Sequence, residues 1–160
     1  MSTRAVPVSE VTLVPGGSAD LDCVIEVMEA AFDERFGESW TRSQCAGILP
    51  MPGVRLVLAR QDGQAAGFSL HRTVSDEAEL LLLAVAPQFR RQGVGGRLLD
   101  HFLDAARAAG AGRVHLEVRE GNPAVAMYRK AGFSVVGRRV KYYRGRFGGE
   151  FDALTLNRRL

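Results

Sequence analysis

An α/β fold built around a mixed, mostly antiparallel sheet is what this 160-residue sequence predicts, and three observations carry the expectation. Two β-rich runs, Val54 to Arg60 and Ala65 to Val74, lie either side of an Asp62-Gly63 turn, the signature of an antiparallel hairpin. A nearly continuous apolar run, Glu79 to Val85, is followed by an amphipathic helix and then by a strand, Arg113 to Val118. That passage is long enough for a right-handed crossover, which makes the two strands parallel neighbours in the middle of the sheet. Further helical segments before and after it supply the flanking layers.

In chain order, Val8 to Val14 reads as a strand closed by Pro15-Gly16-Gly17, and Ala19 to Phe32 as a helix with Asp20 as a first-turn acid. After a break at Gly37, Ser39-Trp40-Thr41 opens a second short helix that ends before Pro50 and Pro52. The hairpin follows, and then Glu79 to Val85, whose apolar run implies burial on both faces. Gly95 to Ala109 is a helix, because Leu98, Leu99, Phe102, Leu103 and Ala106 form one apolar stripe, and Gly110 and Gly112 end it. Strand Arg113 to Val118, helix Ala124 to Ala131 with Gly132 beyond it, and strands Ser134 to Val140 and Phe151 to Asn157 complete the order. There is no internal repeat, linker or low-complexity segment.

A hydrophobic fraction of 46% suits one core and one domain over residues 1–160. Met1 to Glu10 carries a single Arg4 and no apolar run, and nowhere do ~18 apolar residues follow one another, so neither secretion nor a membrane span is expected. Cys23 and Cys45 lack metal or redox spacing and read as free core thiols of a cytoplasmic protein. The net charge of +3 is too small to argue for a specific nucleic acid, although the basic residues crowd into the second half and leave partners near ribosomes open.

The stretch from Leu81 to Leu99 runs from the buried strand through a basic, glycine-rich turn into a helix, and so reads as an anion-binding site. Gly93, Gly95 and Gly96 let the backbone curl and bring several N–H groups within reach of phosphate oxygens, and the helix start adds its positive dipole end. No Gly-Lys-Ser/Thr is present, which excludes a P-loop, and Leu98 stands where a dinucleotide fingerprint needs glycine or alanine. A glycine-rich helix start with no ligand is the plain alternative. What remains, Arg90-x-x-Gly93-x-Gly95, resembles the pyrophosphate loop of the GNAT N-acetyltransferases, and the element order resembles their fold over nearly the full chain. The resemblance implies a central parallel strand pair that splays apart. It also implies acetyl-coenzyme A (acetyl-CoA) as acyl donor, held by Arg90, Arg91, Gln92, Gly93, Val94, Gly95 and Gly96, with its pantetheine arm along Leu83, Ala84 and Val85.

Glu117 is the first catalytic candidate. Val114, Leu116 and Val118 take one face of their strand and leave Arg113, His115, Glu117 and Arg119 on the other, and a covered central strand should not have a polar face without reason. A rim carboxylate paired with Arg119 or His115 is the bland alternative. Acetyl transfer from a thioester to an amine needs a free nitrogen lone pair and a proton for the departing thiolate, two jobs that two groups can divide. An α-amine, on the order of a tenth unprotonated at neutral pH, is an easier acceptor than a lysine, below about a thousandth. Tyr128, on the helix after Asn122-Pro123, is placed to protonate the thiolate, or else is an amphipathic tyrosine that packs its helix on the sheet.

Leu116-Glu117-Val118-Arg119 through Asn122 to Met127-Tyr128-Arg129-Lys130-Ala131-Gly132-Phe133 resembles the closing motif of the RimI-type branch of the GNAT family, which acetylates the N-terminal alanine of a small-subunit ribosomal protein. The resemblance implies Glu117 as base, Tyr128 as acid and Asn122 as a cofactor contact. The interval from Asn122 to Tyr128 is one residue shorter than usual there, through a shorter loop or another helix register. Glu38-Ser39-Trp40 and the run from Arg138-Arg139 through Tyr142-Tyr143 to Asp152-Ala153-Leu154 also resemble that branch and would frame the acceptor cleft, with Lys141 and Phe151 as insertions. Trp40 serves equally as a helix-packing anchor. Strand alternation lets at most one of Tyr142 and Tyr143 face the cleft. The arginines at 138, 139, 144 and 146 either solvate the surface or recognise acidic partners.

His71, His101 and His115 form no metal-ligand cluster in the sequence, so no metal is expected, and no Gly-x-Ser-x-Gly elbow supports a covalent nucleophile. The expected protein is therefore an acetyl-CoA-dependent N-acetyltransferase acting by direct transfer on a protein N-terminus, alanine of a ribosomal protein foremost, with neither membrane nor nucleic acid as partner. A small-amine N-acetyltransferase is the alternative within enzymes. A non-catalytic acyl-CoA sensor is the alternative outside them, and the presence of both Glu117 and Tyr128 argues against it.

Overall fold

The computed structural model describes residues 10–160. Its strands are β1 (Thr12–Gly16), β2 (Val54–Gln61), β3 (Gln64–Val74), β4 (Glu77–Val85), β5 (Arg113–Arg119), β6 (Ser134–Arg144) and β7 (Glu150–Arg159), and its helices α1 (Leu21–Ala31), α2 (Arg42–Ile48), α3 (Val94–Ala108) and α4 (Ala124–Lys130). The strands form one seven-stranded sheet in the order β1-β2-β3-β4-β5-β7-β6. Neighbours are antiparallel except β4 and β5, the pair that the crossover through α3 makes parallel.

Two local features of β4 position the site. Leu70 pairs with Leu82 but His71 with Leu80, so Leu81 is an extra residue that bends the strand. Pairing with β5 runs only from Glu77↔Arg113 to Leu80↔Leu116, after which the two strands part. The splay leaves the β5-facing backbone edge of Leu81 to Val85 without a strand partner among the described residues, in the centre of the sheet.

Helices cover the sheet unequally. Leu98, Leu99, Phe102, Leu103 and Ala106 of α3 are buried, as the stripe requires, and most of them pack with Val114, Leu116, Val118 and Tyr128 into one cluster. Burying a side chain such as Phe102 contributes roughly 1.5–3 kcal/mol. On the opposite face α1 and α2 cover β2 to β4 through Val24, Val27, Met28 and Cys45. The polar side of β5 lies beyond them, so His115 and Glu117 are half-buried rather than covered. That is the physical reason for the polar face, and it corrects the expectation of a strand covered on both sides.

Other boundaries shift for identifiable reasons. Of the strand expected at Val8 to Val14, Val8 and Ser9 lie outside the described residues, and β1 runs on through Pro15 and Gly16 instead of stopping before them. As an edge strand it tolerates a proline, because one side of its backbone needs no partner. The second helix starts after Trp40, since Thr41 is its cap: Thr41 Oγ1 accepts from Gln44 N at 3.1 Å and Gln44 Oε1 accepts from Thr41 N at 2.8 Å. Cys45 is fully buried whereas Cys23 is only half-buried.

Candidate active site

The glycine-rich turn and the free edge of β4 bound one groove. Gly93, in the left-handed conformation at φ 78°, precedes α3, whose first i to i−4 bond runs from Arg97 N to Gly93 O at 3.0 Å. The N–H groups of Val94, Gly95 and Gly96 therefore come ahead of the helical ladder, at the positive end of the dipole. Arg91 also takes a left-handed conformation, φ 63°. Arg90 Nη2 donates to Ala31 O at 2.9 Å and so ties the turn to the end of α1. The groove has a volume of ≈ 690 Å³, and Leu83, Ala84, Val85, Arg90, Arg91, Gly93, Val94, Gly95, Gly96 and Asn122 all line it. Gln92, between Arg91 and Gly93 in the same turn, has its Nε2 turned back to within 3.4 Å of Gln88 O.

A second cavity, ≈ 200 Å³, lies where β4 and β5 part, and Glu117, Tyr128, Trp40, Tyr142 and Tyr143 face it together. Glu117 is paired neither with Arg119 nor with His115. Its Oε1 lies 3.0 Å from Arg139 Nε, and its Oε2 accepts from Thr155 Oγ1 at 3.1 Å. Tyr128 is buried edge-on against Phe133, ring centroids 6.0 Å apart. Burial, and then the charge of Glu38, push its phenol well above the usual tyrosine range. Tyr143 is pushed up by the same two causes in the same order. Trp40 packs against the α1–α2 core and also forms a wall of this cavity.

The alternation argument fails at Tyr142 and Tyr143, because both line the cavity. Arg139 pairs with Ala153 and Tyr143 with Phe151, so four steps on β6 face two on β7. Lys141 sits in this bulge at φ 55° and turns the chain, which brings the two rings edge to face at 4.9 Å. The arginines resolve as well. Arg138, Arg139, Arg144 and Arg146 each meet a carboxylate, respectively Glu120 with Asp152, Glu117, Glu150 and Glu34.

Glu38 is the residue that the sequence placed only within a patch. It comes from the α1–α2 connection, and its carboxylate accepts from Arg119 Nε at 3.0 Å and from Asn122 Nδ2 at 2.7 Å. Asn122 Oδ1 in turn accepts from Ala124 N at 2.8 Å, at the start of α4. Glu38, Asn122, Phe32 and Leu83 line both cavities and form their common wall.

The residues from 21 to 133, which hold the groove, Glu117 and Tyr128, match the model of the Acetyltransferase (GNAT) family. The chain belongs to the GNAT family. Among its relatives, the ribosomal protein bS18-alanine N-acetyltransferase of Escherichia coli is 39% identical over 97 residues, 60% of this chain. The chain spans 65% of the length of that relative. The N-alpha-acetyltransferase RimI of Mycobacterium tuberculosis is 42% identical over 126 residues, 76% of each chain. Among solved structures, the Escherichia coli ribosomal-protein-S18-alanine N-acetyltransferase superposes with a TM-score of 0.82 at 29% identity, covering 92% of both chains. This GNAT chain therefore shares the overall fold of that structure.

Proposed function

We propose that this protein transfers the acetyl group of acetyl-CoA directly to the N-terminal α-amine of a protein, with an alanine-started ribosomal-protein terminus as acceptor class. The observation that carries the reading is that Glu117 and Tyr128 face one small cavity sharing a wall with the donor groove, where the central strands part. The groove suits the donor. Two arginines and the first-turn N–H groups of α3 match a pyrophosphate, and the unpaired edge of Leu83, Ala84 and Val85 offers the amide partners that a pantetheine arm needs. The names of the relatives support the choice of acceptor.

Bound there, acetyl-CoA supplies the activated acetyl group. Glu117, oriented by Arg139 and Thr155, takes the proton of the acceptor amine as the C–N bond forms. Tyr128 gives its proton to the sulfur as the C–S bond breaks. The burial that holds this phenol protonated also disfavours a bare thiolate beside it, so donor and leaving group are shifted in the same direction. Trp40, Tyr142 and Tyr143 confine the acceptor. Among the described residues no helix is long and apolar enough to cross a membrane, and the free thiols of Cys23 and Cys45 suit the cytoplasm as working compartment.

The test is thiol release from acetyl-CoA with three acceptors: an alanine-started peptide, the same peptide blocked at its N-terminus but containing lysine, and a polyamine. Turnover confined to the free alanine terminus is the expected result. Turnover on the polyamine makes the protein a small-amine enzyme, and silence on all three returns the sensor.

A further inference from the structure

We propose that Glu38 is a positioning residue that holds the wall between donor groove and acceptor cavity, so that the two substrates meet in register between Glu117 and Tyr128. The inference rests on the proposed function and adds a residue to its machinery. Glu38 and Arg119 have side chains only 9% and 10% exposed, and among the described residues no other ion pair is as buried on both sides. A buried pair of this kind repays its desolvation poorly and is weak as a source of stability, which points to a role in fixing geometry.

The geometry fixed here is specific. One carboxylate oxygen takes Arg119 Nε, whose guanidinium carbon lies 3.7 Å above the centroid of the Phe36 ring, so the α1–α2 connection is clamped to the end of β5 from two sides. The other takes Asn122, which anchors Ala124 N, one helical turn before Tyr128 on the same face of α4. Glu38 thus ties three segments together: the connection that carries Trp40, the end of the strand that carries Glu117, and the helix that carries Tyr128. Its charge also faces the phenols of Tyr128 and Tyr143 from within the wall.

Glu38→Gln keeps the shape but presents one amide N–H₂ to a donor, so Arg119 or Asn122 loses its acceptor. The expected outcome is about a 10-fold weaker affinity for coenzyme A by calorimetry, a comparable fall in kcat, and a smaller change in acceptor KM. Glu38→Asp, which retains the charge, recovers most of both losses at a similar melting temperature. A role in stability alone lowers the melting temperature of Glu38→Gln and leaves affinity and kcat of the folded enzyme within two-fold of wild type, and that result overturns the proposal. The coenzyme A affinities report on the wall even if wild type acetylates none of the amines, an outcome that removes the proposed activity and leaves this comparison to decide on Glu38.

Discussion

At the scale of single residues the site is two titratable side chains whose surroundings differ. Glu117 meets an arginine and a hydroxyl at the edge of the cavity, while Tyr128 is enclosed. Glu117→Gln preserves volume and removes the proposed base, so kcat should fall by about 10² to 10⁴ while coenzyme A affinity stays near wild type. Steady-state kinetics beside calorimetry checks this, and activity within a few-fold of wild type would remove Glu117 as base. Because burial raises the Tyr128 phenol, the tyrosine stays protonated across the working range and contributes no alkaline limb to the rate profile. Tyr128→Phe should accordingly slow transfer by the same factor at pH 7 and pH 9. Glu117 and Tyr128 stood out as candidates because one lies on the polar face of a strand in the centre of the sheet and the other follows a recognisable motif. Glu38 was not, since its partners are 81 and 84 positions away and nothing local marks a carboxylate as buried.

At the scale of elements, periodicity showed the hairpin, α3 and the β4–α3–β5 crossover, each a long segment with one strong pattern. It did not show the bulge at Lys141, because the left-handed turn there depends on pairing with β7 rather than on any glycine in β6 at that point. The interface of β3 with α3 holds a further polar group that periodicity counted as ordinary strand. His71 is buried against Phe102, ring centroids 5.1 Å apart, and its Nδ1 has no hydrogen-bond partner among the described residues. Burial first, then the charges of His101 and Arg55, depress its pKa from 6.5 to about 4. The unfolded chain therefore binds the proton more tightly. The stability that this neutral imidazole represents is whole above pH 6.5 and is lost as the pH falls toward about 4, on the order of 3 kcal/mol in all. Urea unfolding of wild type and His71→Leu at pH 7 and pH 5 should show a smaller pH difference for the variant, and equal differences would refute the assignment.

At the scale of the whole molecule, the net charge of +3 does not collect into a bare basic face on the β6–β7 side, because the arginines there are matched by carboxylates. What that side does carry is a junction between two distant stretches of backbone. A Cβ at Gly145 would lie 1.8 Å from Arg35 O, and one at Gly37 would lie 2.1 Å from Arg144 O. Arg146 N donates to Glu34 O at 3.0 Å, and Phe36 meets Phe151 edge-on with centroids 5.1 Å apart. The α1–α2 connection and the β6–β7 hairpin, which bring Trp40 and Tyr142 to the cavity, are thus joined to each other. Gly145→Ala has to push them apart, and is expected to raise the acceptor KM severalfold while coenzyme A affinity is kept. Unchanged acceptor KM in a folded variant would separate the junction from acceptor binding.

That closed junction carries a consequence of timing. On the proposed function an acceptor brings its terminus into a cavity of ≈ 200 Å³ whose Trp40 and Tyr142 walls come from the two joined segments, so one already tucked into its own fold or assembly presents nothing that fits. The proposed acetylation then belongs to the interval between the appearance of the acceptor's first residues and their burial, and its mark records that the enzyme arrived before the acceptor's partners did.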